Sequence, residues 1–228
     1  MKSQKMSDKS KNISNVLLVD DHPILRQGLT QLINQEIGLH VCGEAEDANV
    51  ALNLIVSLKP EVIVLDLSLK GMNGLEFLKI LKTKYPKLPV LVLSMHEESL
   101  YAERSIRAGA RGYIMKQEGT ELLISALRKV LSGEIYVSEN LTSQMLSRLA
   151  ETPIDSTRSP LDQLSDRELQ VFQMIGDGLG TRQIAEKLCI SIKTVESYRE
   201  HIKQKLNLKN SLELIHQAIE HFRTNKTK

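Results

Sequence analysis

The chain reads as an α/β protein with a doubly wound, five-stranded parallel sheet, followed by a small all-α domain. Three observations predict this. Short apolar runs recur at fairly regular spacing: "VLLV" (16–19), "LHVCGEA" (39–45), "VIVL" (62–65), "VLVLS" (90–94) and "GYIM" (112–115). Several are β-branched and nearly continuous, as parallel strands covered on both faces must be. Segments of helical periodicity separate them, and beyond residue 163 no strand pattern remains.

The elements follow in order. After the first run, "PILRQGLTQLINQE" places Ile24, Leu25, Leu29, Leu32 and Ile33 on one stripe of a helix. Ala51, Leu52, Ile55 and Leu58 form a second stripe, and Leu75, Leu78 and Leu81 a third. Strand and helix alternate over 16–132, as a doubly wound α/β domain requires, so the first domain is placed at 15–134. A short helix is expected near 139–150, and the Pro/Ser/Thr-rich stretch 151–163 reads as exposed linker, giving a linker region of 135–163. Residues 164–228 then divide into four short helices, with "GDGLG" and "LNLKN" as breaks and Ser165 with Glu168 as a capping box.

Bulk properties exclude more than they select. With 228 residues the chain has room for two medium domains. A net charge of +2 is too small to argue by itself for nucleic acid or membrane. Cys42 and Cys189 are far apart and make neither a metal ribbon nor a disulfide framework, so a reducing compartment is the default. No apolar run approaches the ~20 residues that span a bilayer. The opening "MKSQKMSDKSKNIS" is basic and Ser-rich without a signal's apolar stretch, so residues 1–14 are expected to be a disordered tail and the protein cytoplasmic, with no membrane partner.

Chemistry enters at the strand ends. The first run ends on Asp20 and Asp21, the third on Asp66, the fourth on Ser94, and the fifth leads straight to Lys116. In an open parallel sheet, ligands sit outside the carboxyl ends of the strands, where strand order reverses. If strands one and three are neighbours, three carboxylates converge there, and a hard divalent cation such as Mg²⁺ relieves their repulsion. A hydroxyl and an ammonium at the same rim suit the oxygens of a phosphoryl group, and Asp can form an acyl phosphate. Each residue also has an ordinary reading, as a helix cap, a turn former or one of thirty bases. It is their joint placement after the strands of one sheet that points to a site.

Through "LLVDDHP", "VLDLSLKGMNG", "VLS" and "GARGYIMK", residues 16–132 resemble the receiver domain of response regulators, a flavodoxin-like fold. The resemblance implies that Asp66 is the phosphoacceptor and that Mg²⁺ is held by Asp21 and Asp66 directly, by Asp20 through water and by the Ser68 backbone carbonyl. It implies that Ser94 and Lys116 sense the phosphoryl group, that Tyr113 is the aromatic switch residue, and that a sensor histidine kinase is the partner. Two positions depart from the family pattern. Lys70 and Gln117 stand where Pro is usual, which bears on the lifetime of the phosphoryl group but removes no reacting group.

In the second domain, "TRQIAEKLCISIKTVESYREHIKQKL" divides into a short helix, a turn at "CIS" and a longer helix of about 192–206. With Val195, Ile202 and Leu206 inward, Lys193, Glu196, Ser197, Glu200 and Gln204 share the opposite face. This is the helix-turn-helix plan, whose second helix reads the major groove. Five bases (Lys193, Arg199, Lys203, Lys205, Lys209) face two acids between 193 and 209. On charge and periodicity alone a helical bundle with a solvated face fits equally well. Residues 161–225 resemble the LuxR-type DNA-binding domain of response regulators of the NarL/FixJ class. The resemblance implies backbone contacts to double-stranded promoter DNA from Thr194, Tyr198, Arg199, Lys203 and Lys205, and base reading near Lys193, Glu196, Ser197 and Glu200. It also puts a dimer contact on the last helix. With Leu212, Ile215, Ile219 and Phe222 placed inward, Leu214, Ala218 and His221 are left to face out as dimer candidates.

The expected function is therefore a transcriptional regulator controlled by phosphorylation of Asp66. Phosphorylation would free the C-terminal domain to dimerise and bind DNA. An enzyme using Asp66 as nucleophile is disfavoured, because Ser68 stands where a general acid is needed and no nucleotide-binding motif is present. Chemistry beyond weak self-phosphorylation and dephosphorylation is not expected.

Overall fold

The computed structural model describes residues 13–150 and 159–224. Most of the tail expected at 1–14, and linker residues 151–158, lie outside the described residues. Ser14 itself belongs to the first strand, its N–H bonded to the carbonyl of Gly38 at 2.9 Å.

Five strands, β1 (Ser14–Val19), β2 (Leu39–Ala45), β3 (Val62–Leu65), β4 (Val90–Ser94) and β5 (Gly112–Met115), form one parallel sheet in the order β2-β1-β3-β4-β5. Five helices link or follow them: α1 (Pro23–Gln35), α2 (Ala48–Leu58), α3 (Gly74–Lys84), α4 (Glu98–Ala108) and α5 (Thr120–Leu131). Side-chain alternation along the strands divides the core in two. Val16, Leu18, Val62, Val64, Leu91 and Leu93 pack with α1 and α5, while Leu17, Val19, Ile63, Leu65 and Val92 pack with α2, α3 and α4. The helical stripes hold through Leu29, Ile33, Leu75, Leu78 and Leu81. Ile24, in the first turn of α1, is 86% exposed.

The loop after β3 is shaped by one close approach. A Cβ on Gly74 would sit 2.5 Å from Leu67 Cα and 2.8 Å from its carbonyl oxygen, both backbone atoms that no rotamer change can move. Gly74→Ala is therefore expected to destabilise the chain by about 1–3 kcal/mol, read as a lower urea midpoint at unchanged slope.

After α5 the chain returns beside β5. Tyr113 donates to the carbonyl of Tyr136 at 2.9 Å and Tyr136 to that of Arg111 at 2.9 Å, forming a one-residue parallel bridge. Glu98 of α4 then accepts from Ser138 N–H at 3.2 Å and Ser138 Oγ at 2.6 Å, and α6 (Glu139–Ala150) packs Leu141 into the core.

The second domain comprises a 3₁₀ turn (Pro160–Gln163) and helices α7 (Asp166–Gly176), α8 (Thr181–Leu188), α9 (Ile192–Lys205) and α10 (Ser211–Thr224). The end of the expected exposed linker is thus structured, with Leu161 buried. The Ser165–Glu168 capping box forms in both directions. Cys189 ends α8 in the left-handed region (φ 53°), and Ser191 caps α9 by accepting from Thr194 N–H at 3.0 Å. Val195 and Ile202 point into the core as expected.

The last helix is rotated from its expected setting. Leu214 and Ala218 are wholly buried, His221 is half-buried with its ring edge-on to Phe222, and Leu212 is 76% exposed with Ile215 exposed beside it. The cause is Gly176 on α7. A Cβ there would meet the Phe222 ring at 2.6 Å and the Ala218 carbonyl oxygen at 2.8 Å, so α10 seats its Leu214–Ala218–Phe222 row against that glycine. Leu214 and Ala218, expected to face out, are consequently core residues, while His221 stays half-buried at the edge of that row.

The two domains touch through α7. Asp166 binds Lys79 of α3 at 2.6 Å and Arg104 of α4 at 3.2 Å, and Arg104 also donates to the carbonyls of Leu161 and Leu164, each at 2.8 Å. Arg167 donates to the Gly71 carbonyl at 3.0 Å, Gln170 accepts from Asn73 at 2.9 Å, and Gln173 accepts from the Tyr101 hydroxyl at 2.8 Å.

Candidate phosphoacceptor and DNA-contact sites

Strand register assembles the acidic site. Val19 pairs with Leu65, so the residues that follow, Asp20 and Asp66, emerge side by side at the carboxyl end of the sheet. Asp66 donates its N–H to the Val19 carbonyl at 2.8 Å, which fixes the carboxylate inward. Both are almost fully buried, at 3% and 2% exposure. Lys116, following β5, crosses the rim and places Nζ 2.6 Å from Asp20 Oδ2 and 2.7 Å from Asp66 Oδ2. Burial pushes the Asp66 carboxyl above the usual range, and the Lys116 ammonium offsets this only in part. For Lys116 burial disfavours the charge, but the Asp66 and Asp20 carboxylates outweigh it and raise its pKa.

The donor set suits a hard cation. Asp20, Asp21, His22 and Asp66 each offer a ligand atom within 4.8 Å of the others. Asp21 Oδ1 is buried and receives no well-formed hydrogen bond, although His22 Nδ1 lies 2.8 Å away. An anionic oxygen so placed calls for a cation. Ser68 N–H donates to Asp66 Oδ1 at 3.1 Å.

Around this centre, Ser94 is fully buried and its Oγ accepts from His96 N–H at 3.1 Å. Tyr113 is turned inward, its hydroxyl donating to the His96 carbonyl at 2.7 Å. The fold thus unites Asp20, Asp21, Asp66, Ser68, Ser94, Lys116 and Tyr113 at one rim. Sequence reasoning missed His96. Its Nε2 is hydrogen-bonded to Ser68 Oγ at 3.1 Å, and its ring stacks on Tyr101 with centroids 4.4 Å apart. Burial lowers its pKa to about 4, so the imidazole is neutral. His22 was missed too, although its place directly after Asp20–Asp21 was the available signal.

On α9, Lys193, Glu196, Ser197 and Glu200 are exposed, and the contact of the two domains through α7 leaves this face open. Thr194, Tyr198 and Arg199 are partly buried. Thr194 Oγ1 pairs with Ser191 Oγ at 2.7 Å. Lys203 binds Glu200 at 2.8 Å, and Lys205 binds the buried Glu168 at 2.6 Å. Burial disfavours the Glu168 charge, yet Lys205 and Ser165 together hold its pKa down, so the exposed Lys205 is tied to an acid of its own domain.

Residues 16–128 match the response regulator receiver domain and residues 162–218 the bacterial regulatory proteins of the luxR family. The oxygen regulatory protein NreC of Staphylococcus carnosus is 35% identical over 90% of this chain and 96% of its own length. The response regulator GacA of Pseudomonas aeruginosa is 36% identical over 90% and 95% respectively. Among solved structures, Salmonella typhimurium RcsB superposes with a TM-score of 0.68 at 27% identity, covering 92% of this chain and 98% of that one. RcsB of Salmonella enterica serovar Typhimurium bound to promoter rprA with the phosphomimetic BeF₃⁻ does so with a TM-score of 0.62 at 28% identity, covering 90% and 98%. The chain belongs to the response regulators that join a receiver domain to a LuxR-type DNA-binding domain. It is a DNA-binding transcription regulator and not an enzyme in the usual sense. No helix among the described residues is long and apolar enough to cross a membrane.

Proposed function

We propose that this regulator is switched by transfer of a phosphoryl group to Asp66 from the phosphohistidine of a cytoplasmic sensor kinase. The observation that carries this is Lys116 Nζ bridging Asp20 and Asp66 at the strand ends, with Ser94 beside them. A carboxylate oxygen of Asp66 attacks phosphorus, the P–N bond breaks and its electron pair returns to the imidazole. Lys116 exchanges its Asp66 contact for a phosphoryl oxygen, and the Ser94 hydroxyl donates to another. Asp20, Asp21, Asp66 and the Ser68 carbonyl would hold Mg²⁺, which supplies charge neutralisation for the incoming phosphoryl oxygens. The added charge of about −2 turns the buried Ser94 hydroxyl toward the phosphoryl oxygens, beside a Tyr113 ring that is already turned inward.

For output, the exposed face of α9 with Lys193, Glu196, Ser197 and Glu200 enters the major groove. Thr194, Tyr198, Arg199 and Lys203 meet the phosphate backbone, and Lys205 joins them only by leaving Glu168. The promoter complexes of RcsB support this reading. The exposed stripe of Leu212 and Ile215 on α10 replaces the expected one as the homodimer contact.

Incubation with acetyl phosphate and Mg²⁺ is expected to add one phosphoryl mass to the chain, with none on Asp66→Asn or in the presence of a chelator. Equal labelling of parent and Asp66→Asn would overturn the assignment.

A further inference from the structure

His22 stands at the acidic rim, and the phosphoryl transfer described above makes no use of it. It occupies the N-cap position of α1, but its side chain forms no capping hydrogen bond. Pro23 follows and keeps His22 in extended backbone (φ −95°, ψ 104°), so the turn into α1 holds the imidazole beside the two acids that follow β1. The side chain is 64% exposed, yet its Nδ1 edge faces inward, 2.8 Å from Asp21 Oδ1 and 3.1 Å from Asp20 Oδ1.

The carboxylates divide their oxygens between two sides. Lys116 takes Oδ2 of Asp20 and Oδ2 of Asp66, at 2.6 and 2.7 Å. Oδ1 of Asp20 and Oδ1 of Asp21 face His22 instead. Neighbouring ligands of an octahedral ion, each about 2.1 Å from it, stand about 3 Å apart. Both separations from His22 Nδ1 match that spacing. An ordinary ion pair accounts for it less well. Asp21 Oδ1 is buried and completes no hydrogen bond, so it and the imidazole are close without pointing at one another. The hydrogen bond that Nδ1 does form is to Asp20 Oδ1, which already accepts the His22 N–H at 2.8 Å. Donors so arranged face a common third partner. The formal charge agrees: the carboxylates of Asp20, Asp21 and Asp66 against the Lys116 ammonium leave an excess that suits a divalent ion and a neutral further ligand.

A nitrogen ligand separates the divalent ions. Mg²⁺ takes oxygen and keeps its waters, whereas imidazole suits first-row transition ions. We propose that His22 is a metal ligand: with Asp20, Asp21 and Asp66 it forms a mixed nitrogen–oxygen site that prefers a divalent first-row transition ion to Mg²⁺. This rests on the acidic rim being a metal site.

The test uses the full chain, stripped of metal and titrated with Mn²⁺ or Mg²⁺ at neutral pH. In the Mn²⁺-bound parent, pulsed electron paramagnetic resonance is expected to show the nitrogen coupling of a directly bound imidazole, and His22→Ala is expected to lose it. His22→Ala should bind Mn²⁺ about tenfold more weakly, the scale of losses in a metal's ligand shells. It should bind Mg²⁺ within about twofold of the parent, since water takes the imidazole's place on that ion. His22→Asn keeps a residue suited to the N-cap but offers no imidazole, and should behave as His22→Ala does. A role limited to shaping the turn into α1 would instead alter both ions alike and be restored by asparagine. No nitrogen coupling in the parent, coupling that survives in His22→Ala, or equal loss of both ions would overturn the assignment of His22. The metal site still stands after any of these provided that Asp21→Asn weakens binding of both ions. If neither ion responds to Asp21→Asn, the metal site itself falls and His22 with it.

Discussion

Lys116→Met is expected to lower the stability of the unphosphorylated chain by about 3–5 kcal/mol at neutral pH, the cost of removing one partner from a buried ion pair. The magnitude follows from what remains. Asp20 and Asp66 are buried side by side, and the only cation within hydrogen-bonding distance of both, among the described residues, is the Lys116 ammonium. Without it two carboxylates face each other in a site that already disfavours charge on Asp66. The Asp66 pKa, already raised by burial, rises further without the lysine that offsets it, so the native state takes up protons more readily than the unfolded chain, and acidification relieves the strain. The deficit should therefore shrink as pH falls toward the ordinary carboxylate range, and, on the proposal that the folded site holds Mg²⁺, shrink at neutral pH on adding it. Urea midpoints at both pH values, with and without Mg²⁺, check this. A cost below about 1 kcal/mol, in the range of surface pairs, or one independent of pH, would contradict it. Asp66→Asn makes the useful contrast. It keeps the Lys116–Asp20 pair and removes the less favourably placed acid, so it should cost far less than losing the lysine.

The parent chain should lose stability as pH falls from 6.5 to about 4, and His96 should account for on the order of 3 kcal/mol of the loss. Burial holds the folded-state pKa of His96 at about 4 against an ordinary value of 6.5. Between these values the unfolded chain takes up a proton that the native state refuses. The stability is thus complete above the unfolded pKa and disappears as pH drops through the window. Asp66 works the other way, since a carboxyl raised by burial favours the native state on acidification. The difference between parent and His96→Phe isolates the histidine, because phenylalanine can keep the stack on Tyr101 and has no proton to gain. Parallel pH profiles for the two proteins would mean that His96 does not carry the effect.

These two residues also mark what sequence could and could not reveal. Lys116 was legible because it directly follows a strand, and parallel topology then dictates the rim at which it emerges. The same logic placed Asp20, Asp66 and Ser94. His96 had no such signal: it lies in a polar loop, and its burial depends on Tyr101 from α4 and Gln173 from a helix in another domain. Helix α10 failed for a different reason. Leu212, Leu214, Ile215, Ala218, Ile219 and Phe222 supply apolar residues to two adjoining faces, so periodicity alone allows two settings. Gly176, some forty residues earlier, chooses between them by leaving room for Ala218 and Phe222. The docking of α7 was equally hidden, because Gln170 and Gln173 look like ordinary surface residues until Asn73 and Tyr101 are known to meet them.

The returning segment beside β5 has a practical consequence for dissecting the protein. Family similarity for the first domain stops at residue 128, but Tyr136 occupies the open edge of the sheet and Ser138 and Leu141 fasten the chain to α4 and the core. A fragment cut at the similarity boundary would bare the Tyr113 N–H and the Arg111 carbonyl along an apolar strand, a ready template for intermolecular pairing. Self-association of such a fragment would report the missing edge and not a native dimer. A receiver fragment extended through Leu141 is expected to keep this edge covered.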